Sequence, residues 1–169
     1  MKRIGLLSDT HAYWDEKFRE YFSECDEIWH AGDIGSEEIA RRLNGIKPLR
    51  AVYGNIDGQE LRLSFSKELS FTVEGVRVFM THIGGYPGRY NPDIRKRLYD
   101  VRPQLFIAGH SHILKVMYDD VLRCLYINPG AAGLSGFHLV RTLVRFTIDG
   151  NRVKDLEVIE LGKRTFSAT

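Results

Sequence analysis

Five short apolar runs in this chain each stop at a residue able to hold a metal ion, and that repeated ending constrains the fold more than any other feature. Ile4 to Ser8 runs into Asp9-Thr10-His11, Glu27 to Ala31 into Gly32-Asp33, and Leu49 to Tyr53 into Gly54-Asn55. Further on, Val76 to Thr81 runs into His82 and Leu105 to Ala108 into Gly109-His110-Ser111-His112. Runs this short, bounded by glycine and polar residues, read as buried strands. In an open α/β sheet, ligands gather beyond the carboxyl ends of the strands. The five endings therefore have a physical reason to converge.

The segments between the runs support that geometry. Asp15 to Glu24 places Phe18, Tyr21 and Phe22 at helical spacing, and Ser36 can cap a helix through Arg42 with Glu37 and Glu38 in its first turn. This β-α-β-α-β order calls for parallel strands joined by helical crossovers. The pattern then changes to a hairpin, Leu69 to Val73 and Val76 to Thr81 around Glu74-Gly75. A Gly/Pro-rich loop from Ile83 to Pro92 and a helix from Asp93 to Tyr99 come next. Lys115 to Tyr118 and Arg123 to Ile127 read as strands, and a last hairpin pairs Thr142 to Ile148 with Val153 to Ile159 around Asp149-Gly150-Asn151. One α/β domain over residues 1–169 is expected, with two sheets packed together and helices outside.

Composition narrows the function. A chain of 169 residues can bury a sizeable core. Its net charge of +2, with Lys and Arg scattered among Asp and Glu, gives no indication of a nucleic-acid or membrane surface. No segment approaches the roughly 20 apolar residues needed to cross a bilayer. Cys25 and Cys124 stand apart with no paired spacing, as reduced thiols do in a cytoplasmic protein. Exposed sheet edges make a homodimer an open expectation.

Two carboxylates, four imidazoles and one amide oxygen mix hard and borderline donors, which suits manganese, iron, zinc or nickel better than calcium or magnesium. Seven ligands exceed one tetrahedral ion but serve two, with Asp33 the natural shared ligand. Two metals about 3.5–4 Å apart form the clamp that stabilises the attacking and leaving oxygens of phosphoryl displacement.

As a set, Asp9-Thr10-His11, Gly32-Asp33, Gly54-Asn55-Ile56-Asp57, Thr81-His82 and Gly109-His110-Ser111-His112 resemble the five blocks of the calcineurin-like metallophosphoesterase superfamily. Asn128-Pro129-Gly130 resembles a short block that follows them. Within the superfamily the chain is similar to the small bacterial and archaeal phosphodiesterases. The resemblance implies a four-layer α/β/β/α sandwich of two mixed sheets and a phosphate-ester substrate. It also implies a first metal on Asp9, His11 and His112, a second on Asn55, His82 and His110, and Asp33 bridging them, with manganese the favoured ion. A metal-bridging hydroxide would then attack phosphorus in line. Many members carry a histidine directly after the metal-binding asparagine to help the leaving group. Here Ile56 stands in that place and cannot donate a proton, so aryl esters should react better than alkyl esters.

Around the site, His30 either steadies a ligand or packs in the core, Asp57 either orients the Asn55 loop or stabilises a turn, and His138 reads as structural. The loop Gly84 to Pro92 follows His82 directly. Arg89 in it can take a phosphate bidentately, and Tyr86 or Tyr90 can pack against an aryl group. The competing functional reading is a non-catalytic protein-binding scaffold of the same fold, like the vacuolar sorting subunit of retromer. A scaffold is free to lose metal ligands, whereas all seven positions here hold competent residues. A metal-dependent amidohydrolase fits less well, because its usual barrel is far longer than this chain.

Overall fold

The computed structural model describes residues 1–165. Its first half contains β1 (Lys2–Leu7), α1 (Glu16–Phe22), β2 (Glu27–His30), α2 (Glu37–Ile46), β3 (Leu49–Ala51) and α3 (Gln59–Ser64). A hairpin of β4 (Glu68–Val73) and β5 (Val76–Thr81) follows, then a miniature one of β6 (Gly85–Tyr86) and β7 (Arg89–Tyr90). The chain continues through α4 (Pro92–Val101), β8 (Leu105–Ile107), β9 (Lys115–Asp119) and β10 (Cys124–Asn128), and ends in the long hairpin of β11 (Val140–Asp149) and β12 (Arg152–Lys163).

Ten of these strands form two mixed five-stranded sheets, ordered β12-β11-β1-β2-β3 and β4-β5-β8-β10-β9. β1, β2 and β3 run parallel, and β11 lies antiparallel to β1. In the second sheet β5, β8 and β10 run parallel, with β4 and β9 antiparallel at the two edges.

The strands read as apolar runs because both of their faces are buried, and side-chain alternation divides each run between two cores. Ile4, Leu6, Trp29, Val78, Met80, Leu105, Ile107 and Ile127 point between the sheets. Leu7 and Ile28 point outward beneath α1 and α2, meeting Phe18, Phe22 and Leu43. Phe79, Phe106 and Tyr126 point out of the second sheet to meet Ile94 and Leu98 of α4. Three cores separate four layers, so the architecture is the expected α/β/β/α sandwich. The helix starts are equally local in origin. Asp15 accepts the Lys17 N–H, Ser36 the Ile39 N–H and Asn91 the Asp93 N–H, each capping the helix that follows.

Two elements differ from expectation. α3 has one buried residue, Leu61, and no side-chain cap, so it carries neither a periodic apolar face nor a start signal. The Gly/Pro-rich loop is not wholly irregular: two residues on each side of Pro87-Gly88 pair as β6 and β7.

Candidate metal centre

β1, β2, β3, β5 and β8 all end at one rim of the sandwich, and the residues just beyond them turn sharply. Asp9, His11, Asp33, His110 and His112 all adopt positive φ, between 45° and 72°. Such values are uncommon outside glycine and concentrate at functional sites, with Asp and His tolerating them better than most. This turning aims consecutive residues inward, which a straight strand end cannot do.

Two groups of side chains result. The ligand atoms of Asp9, His11 and His112 lie within 4.8 Å of one another, as do those of Asp33, His82 and His110. The groups adjoin. Asp33 Oδ2 stands 3.1 Å from His82 Nε2 and 3.4 Å from His11 Nε2, while Asp9 Oδ1 stands 3.1 Å from His112 Nε2 and 3.7 Å from His11 Nε2. Asn55 reaches the second group through Oδ1, 3.1 Å from His110 Nδ1. All seven sequence-predicted ligands are thus brought to one place.

The donor atoms suit divalent ions. Ligands about 2.1 Å from a tetrahedral cation stand about 3.4 Å apart, close to the separations seen here. Asp9 Oδ1, His11 Nε2 and His82 Nε2 are buried without a hydrogen-bond partner. Orphaned polar atoms are costly unless something else satisfies them.

Each carboxylate uses one oxygen to fix itself and aims the other at the cluster. Asp9 Oδ2 accepts from the Ser8 hydroxyl at 2.6 Å and the His110 N–H at 3.2 Å, leaving Oδ1 free. Asp33 Oδ1 accepts the Ile56 N–H at 3.0 Å, leaving Oδ2. Asp33 Oδ2 is therefore the oxygen that faces both His82 of its own group and His11 of the other. His82 is oriented in the same manner: its Nδ1–H donates to the Ala31 carbonyl at 2.8 Å, so Nε2 presents its lone pair to the cluster.

Charge follows this geometry. Burial pushes the Asp9 and Asp33 carboxyls up, but the neighbouring imidazoles, His11 foremost, outweigh it and hold both well below the usual carboxylate range. The adjacent carboxylates of Asp33 and Asp9 raise His11 to about 9. In the metal-free protein His11 thus carries a proton at neutral pH, which a cation must displace on binding.

The surrounding residues are now placed. His30 is fully buried. Its Nδ1 accepts the Gly32 N–H at 3.0 Å, and its Nε2–H donates to the Thr10 hydroxyl at 3.0 Å, which itself donates to the Ile34 carbonyl. It is a satisfied core histidine that also ties the Asp9 and Asp33 loops together. Asp57 accepts three N–H groups, from Ile34, Gly35 and Gly54, so orienting the Asn55 loop and stabilising the turn are one role. His138 donates to the Gly133 carbonyl and packs its ring edge-on, 5.2 Å from that of His112.

Arg89 lies elsewhere. It lines a groove with Tyr90, Arg95, Tyr99, Met117 and Tyr118, none of them a ligand. The cleft that does open beside Asn55 and His82 has a volume near 330 Å³ and is walled by Tyr53, Arg62, Lys67, Ile83 and Asn91. Arg62 donates to the Asp57 and Asn55 carbonyls and lies over the Tyr53 ring. Sequence reasoning missed Arg62 and Lys67 because they sit in and just after α3, the helix without a signal.

Comparison with known proteins identifies the family and the fold. The calcineurin-like phosphoesterase superfamily domain matches residues 1–151. The chain belongs to that superfamily. A probable metallophosphoesterase of Methanothermobacter thermautotrophicus is 28% identical over 166 residues, covering 94% of this chain and 92% of the relative. Among solved structures, an archaeal phosphodiesterase superposes with TM-score 0.74 at 21% identity, over 94% of this chain and 99% of its own. Zinc-complexed Vps29 of Entamoeba histolytica gives TM-score 0.73 at 12% identity, over 96% and 99%. At such identities these two structural likenesses establish the calcineurin-like fold alone. Metal dependence follows from the superfamily itself, and the two groups are this chain's candidate ligands.

Proposed function

We propose that the chain acts as a single-domain phosphodiesterase holding two divalent cations. The observation that carries this reading is the pair of adjoining ligand groups around Asp33 Oδ2, with buried donor atoms left unpartnered. Asp9, His11 and His112 would hold one cation, and His82, His110 and Asn55 the other, with Asp33 shared. Manganese is the favoured ion, and iron, nickel or zinc fit the same mixed donor set. Zinc bound to a protein of the same fold supports a site of this type. When bound, two such cations supply Lewis acidity, activating water and neutralising phosphoryl charge.

The chain's own residues set what can react. Ile56, half-exposed beside Asn55, has no proton to give a departing alkoxide. The cleft of Tyr53, Arg62, Lys67 and Ile83 receives one organic arm of the diester, with the cation of Lys67 facing an anionic substituent. Arg62 holds the Asn55 backbone in place and supplies part of the wall. A cytoplasmic location fits Cys25 and Cys124, which are unpaired and buried, their thiols pushed by burial to about 11 and about 12. No helix among the described residues is long and apolar enough to cross a membrane.

An activity screen tests the proposal, with manganese, nickel, zinc and magnesium supplied separately against phosphomonoesters, phosphodiesters and cyclic nucleotides. Nitrophenyl phosphodiesters should turn over fastest. Simple alkyl diesters should lag by more than their leaving groups alone dictate, because general-acid help worth about 10²–10⁴-fold is missing. Equal rates for aryl and alkyl diesters would remove the role given to Ile56. A protein that takes up no metal at neutral pH would favour the competing scaffold reading over the enzyme.

A further inference from the structure

The two sheets have four edges, and they differ in how open they are. β12 carries Lys154, Asp155, Glu157, Glu160 and Lys163, and its register with β11 shifts twice, features that blunt edge-to-edge pairing. The edges at β3 and β4 adjoin, joined by a parallel bridge from Val52 to Ser66.

β9 is different. It closes its sheet on one side, and among the described residues the backbone of 115–119 bonds to β10 alone. Between its charged ends it presents Val116, Met117 and Tyr118, all exposed, and the flanking Ile113, Leu114 and Val121 are exposed as well, Val121 to 79%. No other stretch of the described chain exposes large apolar side chains at this density. Long apolar edges left open recruit another strand.

The strand Lys115-Val116-Met117-Tyr118-Asp119 is also complementary to itself. Pairing two copies antiparallel about Met117 sets Met117 against Met117, Val116 against Tyr118, and Lys115 against Asp119 of the other copy, at both ends. Opposite charges directly across an antiparallel pair stabilise it. The Lys115 ammonium lies over the Tyr86 ring at 4.1 Å and has no ion pair among the described residues. Asp119 accepts from the Tyr90 hydroxyl and the Val121 and Leu122 N–H groups, bonds that fix its position without neutralising it. We infer that the partner of this edge is a second copy of the chain, joined through β9 across a two-fold axis at Met117, so that two five-stranded sheets become one of ten strands. A two-fold interface of this kind uses the same patch on both copies.

The experiment combines solution mass with register-specific cross-linking of the full chain, and it does not depend on catalysis. The wild-type protein should run at twice the monomer mass by light scattering at tens of micromolar. Met117→Cys should form an intermolecular disulfide under mild oxidation, since directly opposed Cα atoms lie about 4.5–5.5 Å apart, within disulfide reach. Lys115→Cys should not, because two copies of residue 115 would stand about 13 Å apart. Cys25 and Cys124 are buried and add little background. Met117→Lys, which sets two cations against each other on the axis, should give a monomer with unchanged circular dichroism and metal content. A monomeric wild-type protein overturns the inference, including the case in which a strand from a different protein covers the edge. A dimer that cross-links equally well at 115 and 117 overturns it too.

Discussion

Asp9 and Asp33 each bind the fold through one oxygen and face the cluster with the other, and His82 divides its two nitrogens in the same way. This division of atoms is the residue-scale basis of the site. His30 shows the related case of a side chain wholly committed to the fold. Burial lowers it to about 4, against 6.5 for a free histidine. The unfolded chain therefore takes up a proton at His30 below pH 6.5 that the folded protein does not accept until about pH 4. Stability contributed by the neutral ring is fully present above pH 6.5 and falls away as pH drops toward 4, by roughly 3 kcal/mol at the limit. Urea melts from pH 7 to pH 4 should show this loss, and an NMR titration should find His30 neutral at pH 5. A ring that titrates near 6.5 in the folded protein contradicts the assignment. Neither His30 nor Asp57 could be resolved from sequence, because a histidine in a strand looks the same whether or not its nitrogens reach other loops.

At the scale of elements, the centre depends on loops from different strands being tied together before any ion arrives. Asp57, in the loop after β3, accepts N–H groups from Ile34 and Gly35 in the loop after β2. Gly54 is required in the same place, since a Cβ there would collide with the Asp33 carboxylate. Asp57→Ala would leave the buried N–H groups of Ile34 and Gly54 without partners, and with them the part-buried Gly35 N–H, at a cost of roughly 2–4 kcal/mol. It should also loosen Asn55 and Asp33 enough to weaken manganese binding about 10–100-fold. Chemical denaturation and a metal titration would check both numbers. Unaltered metal affinity in a folded Asp57→Ala protein would separate the loop tie from the site. The strands and capped helices were legible from apolar runs and local cap residues. α3 was not, because its place comes from Leu61 docking into the core beneath α2 and from no pattern of its own.

For the molecule as a whole, the metal-free protein gathers orphaned donors and five positive-φ ligands at one rim, a costly arrangement that the rest of the fold sustains. Ion binding should relieve it. A ligand at about 100 times its dissociation constant adds about 2.7 kcal/mol, and a chain of this length gains about 2–4 °C per kcal/mol. Excess manganese should therefore raise Tm by roughly 5–10 °C over the chelator-treated protein, and His112→Ala should shrink the shift. An unchanged Tm would count against a preformed site. By itself, the sequence determined the layer architecture and the seven candidate ligands that the fold brings together, because both are written in local patterns: strands buried on two faces, and polar residues at their ends. Only the tertiary structure decided which cations line the cleft beside Asn55 and His82. Arg62 and Lys67 reach it and Arg89 does not, since the path of a loop depends on contacts with distant segments that no spacing records. The same holds for the Asp33 oxygen that faces both His11 and His82 and for the open edge of β9. Each depends on which atoms remain unpartnered once everything else has packed.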